Sequence, residues 1–175
     1  AIWDSGFEDQ ADSGGIPDAE SYLREFGRRM GYPLTTAEWI GARRAAMMPD
    51  AAMLDLARRV AARHPVALFT NNGPLTEATI DDLFPELRAI FGTQMYFSWR
   101  FGVKKPSPQS FRRLLAELGR EGPDCLFIDD KKSNVRGAEM AGIQGHHFVS
   151  REKLLPLLRM SEGEVAENTG DIALP

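Results

Sequence analysis

The feature that most constrains this fold is the apolar segment Cys125–Ile128, which runs directly into the neighbouring carboxylates Asp129 and Asp130. An apolar run of this length, followed by a polar turn and a short helix, is typical of a buried strand in a parallel sheet. Open α/β sheets bind their ligands at the carboxyl ends of such strands. Two carboxylates placed there repel each other unless one is protonated or both share a cation, for which Mg²⁺ is the simplest choice. The alternative is a strand end that carries a solvated pair of aspartates.

The chain before residue 66 predicts three helices and no strand. Residues Ala1–Gly15 have no periodic pattern and are expected to be irregular. Thr35 and Glu38 have the spacing of a capping box, which marks the start of the second helix. Apolar spacing and turn residues give the three helices as Asp18–Met30, Thr35 to about Pro49, and about Asp50 to His64.

From residue 66 onward, strands and helices alternate, which predicts an α/β fold with a parallel, Rossmann-like sheet and helices on both faces. We divide the chain into a small helical unit (1–48), an α/β core (49–160) and a C-terminal tail (161–175). The predicted strands are Val66–Thr70, Met95–Ser98, Cys125–Asp130 and His147–Val149. The predicted helices follow Pro74 as far as Phe84, begin at Pro108 with Ser107 as N-cap, and span Val135–Gly142 and about Arg151–Met160.

Composition excludes several classes of partner. The net charge of -4 argues against a nucleic-acid-binding surface. The longest apolar runs are far shorter than a membrane span, so no membrane partner is expected. Cys125 is the only cysteine, which excludes an internal disulfide and makes the cytoplasm the expected compartment. A monomer and a homodimer are both compatible with the sequence.

Polar residues follow three of the predicted strands. Thr70 and Asn71 end the first, Lys105 lies in the loop after the second, and Asp129 with Asp130 ends the third. A hydroxyl and an amide can donate to anionic oxygens, a lysine neutralises negative charge, and paired carboxylates can hold a metal. These groups suit the binding and transfer of a phosphoryl group. Taken singly, each also has an ordinary structural explanation as a strand-end or loop residue.

The order of these segments resembles the haloacid dehalogenase (HAD) superfamily. The resemblance rests on Phe69–Asn72, Gly102–Pro106 and Phe127–Asp130, together with Asn134 and the segment from Gly137 to Ile143. It is strong over residues 66–149 and less specific in the helices before them. Within the superfamily, the chain is most similar to the small-cap, phosphatase-like subgroup that includes the phosphatase domain of soluble epoxide hydrolases.

The resemblance implies a role for each of these polar residues. Thr70 would donate its hydroxyl to a phosphoryl oxygen, with Asn71 beside it, and Lys105 would be the cation of the site. Asp129 and Asp130 would be the magnesium ligands. Lys104 is the alternative for the cation. Asn134 stands where many members have another acid, so it would at most support the site from outside.

One part of the family pattern is missing. Members open with an apolar strand that ends in Asp-x-Asp-Gly or Asp-x-Gly-Gly, and its first aspartate is the nucleophile. By this resemblance, residues 1–48 would be a partial helical cap. We expect that Trp3 onward already belongs to this cap, so that the first, nucleophile strand is absent from the sequence. Asp4 and Asp12 remain as weaker candidates for the nucleophile. In the family's strand order, the strands ending at Thr70 and Asp129 flank that first strand and do not pair with each other.

The function expected from this resemblance is that of a HAD-like hydrolase. Its best-supported form is a Mg²⁺-dependent phosphatase that acts on a small phosphorylated metabolite through an aspartyl-phosphate intermediate. One alternative is a haloacid dehalogenase, which attacks carbon, needs no metal and would gain nothing from two adjacent carboxylates. The other is a degenerate HAD module that binds without catalysis.

Overall fold

The structure is a computed structural model that describes residues 5–158. The four strands are β1 (Leu68–Thr70), β2 (Met95–Phe97), β3 (Leu126–Asp129) and β4 (Gln144–His147). The helices before β1 are α1 (Phe7–Asp12), α2 (Ala19–Met30), α3 (Thr36–Ala46) and α4 (Ala51–Ala61). Those after it are α5 (Pro74–Ala78), α6 (Ile80–Leu83), α7 (Pro85–Phe91), α8 (Pro108–Leu118), α9 (Lys132–Glu139) and α10 (Arg151–Leu157).

The predicted helix signals before β1 are confirmed. Asp18 caps α2 by accepting a hydrogen bond from the backbone N–H of Ser21, and Gly31 ends that helix with a φ of 68°. The capping box of Thr35 and Glu38 is present in both directions. Asp50 caps α4 through the N–H groups of residues 52 and 53. Polar residues with short side chains therefore set the starts of all three helices.

Four predictions of local structure are wrong. Residues 7–12, expected to be irregular, form α1, because burial of Phe7 and Ala11 stabilises one helical face. The single helix expected up to Phe84 is two helices, broken where the Thr79 hydroxyl donates to the Leu75 carbonyl, and α7 follows from Pro85. β4 ends at His147, where the predicted strand began. Asn134 lies inside α9, which starts three residues before the predicted position.

Two further expectations hold only in part. Ser107 occupies the N-cap position of α8, but its side chain makes no capping hydrogen bond. Strand β3 is less buried than its apolar sequence suggested, since 43% of Leu126 is exposed. The end of the last predicted helix, the tail 161–175 and Asp4 lie outside the described residues. In the described part of the chain, no helix has the length and apolar character needed to cross a membrane.

All strand pairing in the described chain is parallel. β1 pairs with β2, with Leu68 opposite Met95, and β3 pairs with β4, with Leu126 opposite Gln144. Among the described residues, β1 and β3 do not pair with each other, so the sheet consists of two separate halves. The α/β fold with parallel strands is thus confirmed. The lack of pairing between β1 and β3 agrees with the expected strand order.

Three apolar clusters hold these elements together. The first joins α1, α2 and α3 to α5 and α6, so the N-terminal helices share their core with helices that follow β1. The second lies between β1, β3 and helices α8 and α9, and its centre is the fully buried ring of Phe111. The third places α4 and α10 against β3 and against Phe148, the residue after β4. Burying one large apolar side chain contributes roughly 1.5–3 kcal/mol, so each cluster is a substantial source of stability.

Gly137 in α9 allows a close helix–loop contact. A Cβ atom added there would overlap the carbonyl oxygen of Pro106, a backbone atom that cannot turn aside. Gly41 in α3 is a matched helical glycine with open space around its Cβ position. We expect Gly137→Ala to lower the free energy of unfolding by about 1–3 kcal/mol. Gly41→Ala should raise it by roughly 0.5–1 kcal/mol, because alanine is the better helix former. Urea unfolding of both variants measures this, and equal effects would contradict the packing described.

Candidate active site

Lys105 lies between the two halves of the sheet. Its Nζ donates to the Phe69 carbonyl oxygen on β1 and to Asp129 Oδ2 on β3, each at 2.9 Å. The N–H of Leu68 donates toward β2, and successive residues of a strand turn their backbone groups to opposite sides. The Phe69 carbonyl therefore faces away from β2, on the edge of β1 nearer β3. Only 8% of Lys105 is exposed, so its charge is almost fully removed from water.

Asn71, the residue directly after β1, fixes the backbone of Lys105. Its side-chain Nδ2 donates to the Lys105 carbonyl at 2.8 Å, and its Oδ1 accepts from the Lys105 N–H at 2.9 Å. The Asn71 amide thus satisfies both backbone groups of Lys105, as a neighbouring strand would. It holds the loop before α8 against the end of β1. The amide of Asn71 therefore has its main partners within the protein.

The carboxylate of Asp129 accepts three hydrogen bonds. Besides Lys105, these come from the Lys131 N–H and from Asn134 Nδ2, each at 2.9 Å from Oδ1. Burial by itself raises the pKa of Asp129, but the hydrogen bonds from Lys105, Lys131 and Asn134 and the charge on Lys105 outweigh it. The pKa of Asp129 consequently lies below its ordinary value. Asn134, the expected supporting residue, contacts the acid directly.

Aromatic rings surround the ammonium group of Lys105. Its Nζ lies 5.2 Å from the ring centroid of Phe69 and 5.2 Å from that of Phe127. Phe111 packs edge-on against both rings, at 5.6 and 4.9 Å between centroids. The faces of these rings attract a cation, and their bulk keeps water away. An ion pair in such surroundings is stronger than one at the surface.

Asp130 differs sharply from its neighbour. It is exposed, and within the described residues its carboxylate makes no hydrogen bond or ion pair. Only its backbone carbonyl is engaged, 3.0 Å from His147 Nε2. No group of three or more Asp, Glu, His or Cys residues is placed to hold a metal in residues 5–158. Two adjacent carboxylates nevertheless fit Mg²⁺, which proteins often bind through one or two carboxylates with water and substrate phosphate completing the shell.

Thr70 lies at the end of β1, beside Asn72 and Arg43, for which no role was predicted. Its Oγ1 accepts from Asn72 Nδ2 at 2.5 Å. Asn72 Oδ1 in turn lies 3.4 Å from Arg43 Nη2, which comes from α3. The doubled asparagine after the strand signals a polar strand end. Nothing in the pattern of α3 indicates that Arg43 reaches this place.

The two lysines considered for the cation point in different directions. Lys105 contacts Asp129, whereas the Nζ of Lys104 pairs with Asp9 on α1. Lys104 therefore connects the N-terminal helices to the core. The structure places Lys105, and not Lys104, beside the carboxylate pair.

Asp12, the weaker candidate for the nucleophile, is the last residue of helix α1 and does not follow a strand. Burial, opposed by Lys104 and Arg43 and aided by Glu8 and Asp9, raises the pKa of Asp12 to about 6. Its backbone carbonyl accepts from the Ser98 hydroxyl at 2.6 Å, which ties α1 to the residue after β2. Asp12 thus lies where the N-terminal helices meet the core.

The chain matches a known protein family. A family model described as a haloacid dehalogenase-like hydrolase matches residues 17–142. The chain is 38% identical over 64 residues to flavin mononucleotide hydrolase 1 of Arabidopsis thaliana, covering 34% of this chain and 26% of that protein. It is 33% identical over 118 residues to the plasmid-encoded protein CbbY of Cupriavidus necator, covering 61% and 42%. The chain thus spans only between about a quarter and a half of the curated relatives that it matches.

Solved structures show the same fold. A HAD family enzyme of Bacteroides thetaiotaomicron, crystallised as a magnesium complex, superposes with a TM-score of 0.72 at 21% identity, covering 89% of this chain and 80% of that one. A HAD-like hydrolase of Porphyromonas gingivalis gives a TM-score of 0.70 at 24% identity, covering 89% and 78%. At these identities the likeness concerns the fold alone. The superfamily expected from the sequence is confirmed.

The ion pair of Lys105 and Asp129 predicts unequal effects for the two neighbouring aspartates. Asp129→Asn leaves the Lys105 ammonium buried without its counter-charge, so we expect a loss of about 3 kcal/mol in the free energy of unfolding at pH 7. Asp130→Asn, at an exposed position, should change it by less than about 0.5 kcal/mol. Urea unfolding measures both variants. Equal losses would show that Lys105 does not depend on Asp129.

The Lys105–Asp129 pair makes the stability of the fold depend on pH in the acid range. Because the pKa of Asp129 is lowered in the folded state, its stabilisation is present above the unfolded pKa of about 4 and is lost as pH falls through the folded value. The difference in the free energy of unfolding between wild type and Asp129→Asn should therefore become smaller below pH 4. A difference that stayed constant from pH 7 to pH 3 would contradict this assignment.

Asp12 predicts the opposite dependence on pH. Since its pKa is raised to about 6, the folded state holds a proton that the unfolded chain has released between pH 4 and 6. Stability is therefore lost as pH rises through 6. Asp12→Asn should raise the free energy of unfolding at pH 8 by about 1 kcal/mol, a figure reduced for partial solvent screening, and leave it unchanged at pH 4. If Asp12→Asn were less stable than wild type at pH 8, the attraction of Lys104 and Arg43 for the Asp12 carboxylate would outweigh the cost of burying it.

Proposed function

Because the chain belongs to the haloacid dehalogenase-like hydrolase family, we propose that its protein is a magnesium-dependent phosphatase of small phosphorylated metabolites. The observation that carries the proposal is the position of Lys105 between the end of β1 and Asp129, with a second carboxylate, Asp130, exposed beside it. A buried cation and a carboxylate pair at the carboxyl ends of parallel strands are the parts that phosphoryl transfer needs. Relatives named as a flavin mononucleotide hydrolase and an enolase-phosphatase support a phosphate ester as the substrate.

The residues at the strand ends have different roles in the proposed reaction. The Thr70 hydroxyl, at the end of β1, donates to a phosphoryl oxygen of the substrate. The Lys105 ammonium balances the charge of Asp129 and of the phosphoryl group. Asn71, whose amide is bonded to the Lys105 backbone, acts as a positioning residue rather than as a phosphate ligand. Asn134 orients the carboxylate of Asp129 in the same way.

Asp129 and Asp130 are the residues that would hold Mg²⁺. Asp130 is the more available of the two, because both oxygens of Asp129 already accept hydrogen bonds. When bound, the ion supplies positive charge to the phosphoryl oxygens and holds them in place. The magnesium complex among the similar solved structures supports this choice of metal.

The nucleophile of the proposed reaction is an aspartate outside the described residues. Its carboxylate attacks phosphorus, the bond to the ester oxygen breaks, and the leaving alcohol takes up a proton. Water then attacks the aspartyl phosphate, which releases inorganic phosphate and restores the carboxylate. Among the described residues, β1 pairs only with β2 and β3 only with β4, which supports a strand between β1 and β3 as the carrier of this aspartate. Asp4, one of the candidates from the sequence, lies outside the described residues.

We expect the full-length protein to hydrolyse 4-nitrophenyl phosphate only when Mg²⁺ is present, with turnover lost in excess EDTA. Asp130→Asn should abolish this turnover and keep the fold. Asp124→Asn removes an exposed carboxylate just before the opposite end of β3 and is the matched control, so its rate should stay at the wild-type level.

Three results would overturn the proposal. Equal turnover in EDTA would exclude metal dependence. Release of halide from a 2-haloacid would identify a dehalogenase. A full-length protein that binds phosphate esters without turning them over would be the non-catalytic HAD module.

A further inference from the structure

Arg43 reaches from the N-terminal helices to the strand end that carries Thr70. It lies on α3, where its guanidinium carbon is 5.3 Å from the ring centroid of Trp39, one turn earlier. Trp39 is 4% exposed and belongs to the cluster that joins α1, α2 and α3 to the core. The arginine side chain is therefore held against a fixed surface. Little conformational freedom remains for it to lose when it binds a partner.

The donors of Arg43 are poorly satisfied. Its Nη2 makes one long hydrogen bond, 3.4 Å, to the neutral amide oxygen of Asn72. Its Nε is buried and has no hydrogen-bond partner. Within residues 5–158, no carboxylate lies within 4 Å of its guanidinium nitrogens. A buried donor without a partner is unfavourable, so the free protein carries an unsatisfied group here.

Two other basic residues, Arg59 and Lys104, each lie close to a carboxylate. Arg59 on α4 also has buried nitrogens without partners, but its Nε lies 3.4 Å from Asp55 Oδ2. Lys104, near the same end of the core, pairs with Asp9. Asp12 affects Arg43 through its charge but forms no ion pair with it. Arg43 is thus a half-buried cation near the candidate site whose charge is not matched by a contacting acid of the described chain.

Arg43 lies close to the place where the phosphate of the substrate is proposed to bind. Asn72 bridges it to the Thr70 hydroxyl, so the guanidinium lies one side chain beyond the group proposed to hold the phosphoryl oxygens. It approaches from the helical layer that covers this end of β1. A substrate whose phosphate lies at Thr70 would extend its remaining part toward this layer.

We propose that Arg43 is a specificity-determining residue that binds a second anionic group, a carboxylate or a phosphate, on the leaving part of the substrate. This inference rests on the phosphatase function proposed above. Guanidinium groups bind carboxylates and phosphates through paired, charge-assisted hydrogen bonds, and Arg43 has nitrogens free for them. The substrates are accordingly phosphorylated carboxylic acids or bisphosphates rather than phosphate esters of neutral alcohols.

The test compares phenyl phosphate with carboxyphenyl phosphates and phenylene bisphosphates, using the full-length protein with Mg²⁺. We expect kcat/KM to be about 10- to 100-fold higher for an ester with the second anion, mainly through a lower KM, as expected for a charged hydrogen bond used for binding. The better of the two series identifies the anion as carboxylate or phosphate. Arg43→Met, which keeps the packing on Trp39, should reduce this preference to about one. Arg43→Lys should restore part of it.

Arg44→Met is the matched control, because it removes the same charge from an exposed neighbour on the same helix. It should leave the preference unchanged. An equal preference in wild type and Arg43→Met, or an equal loss in Arg44→Met, would overturn the role of Arg43 while phosphatase activity stands. If no ester is turned over, calorimetric binding of the same esters still tests Arg43, and the proposed activity fails separately.

Discussion

The buried ion pair between Lys105 and Asp129 is the interaction on which the rest of this structure depends. In the described chain, β1 and β3 belong to separate pairs, and Lys105 connects them by bonding to a carbonyl on one and a carboxylate on the other. A buried ion pair is often no more stabilising than apolar residues of the same size. Its presence beside the rings of Phe69 and Phe127 is therefore better explained by the chemistry of the site than by stability alone.

The sequence predicted the neighbourhood of this pair, because the carboxyl ends of parallel strands meet at one edge of a sheet. That rule brought together Thr70, Lys105 and Asp129 from three separate segments. It could not distinguish the two acids, since adjacent aspartates have the same local pattern. Their difference arises from Lys105, Lys131 and Asn134, all of which bond Asp129. Lys131 and Asn134 are close to Asp129 in the chain, whereas the contact with Lys105 depends on packing between distant segments.

The parts that sequence reasoning missed were set by tertiary contacts. Helix α1 has only six residues and no strong pattern of its own, and it forms because Phe7 and Ala11 are buried against neighbouring helices. Arg43 was missed for a related reason. A long, flexible arginine on a helix is usually solvated, and only the position of Trp39 and Asn72 shows that this one reaches the end of β1.

The charges of the site explain why a metal belongs to the proposed reaction. Lys105 is neutralised by Asp129, so that the ammonium and the two carboxylates together carry one net negative charge. A phosphate dianion would be repelled by that charge. A divalent cation at Asp130 would reverse the sign and allow the dianion to bind. Arg43, placed beyond Thr70, would then act on a different part of the substrate, so that catalysis and selection depend on separate cations.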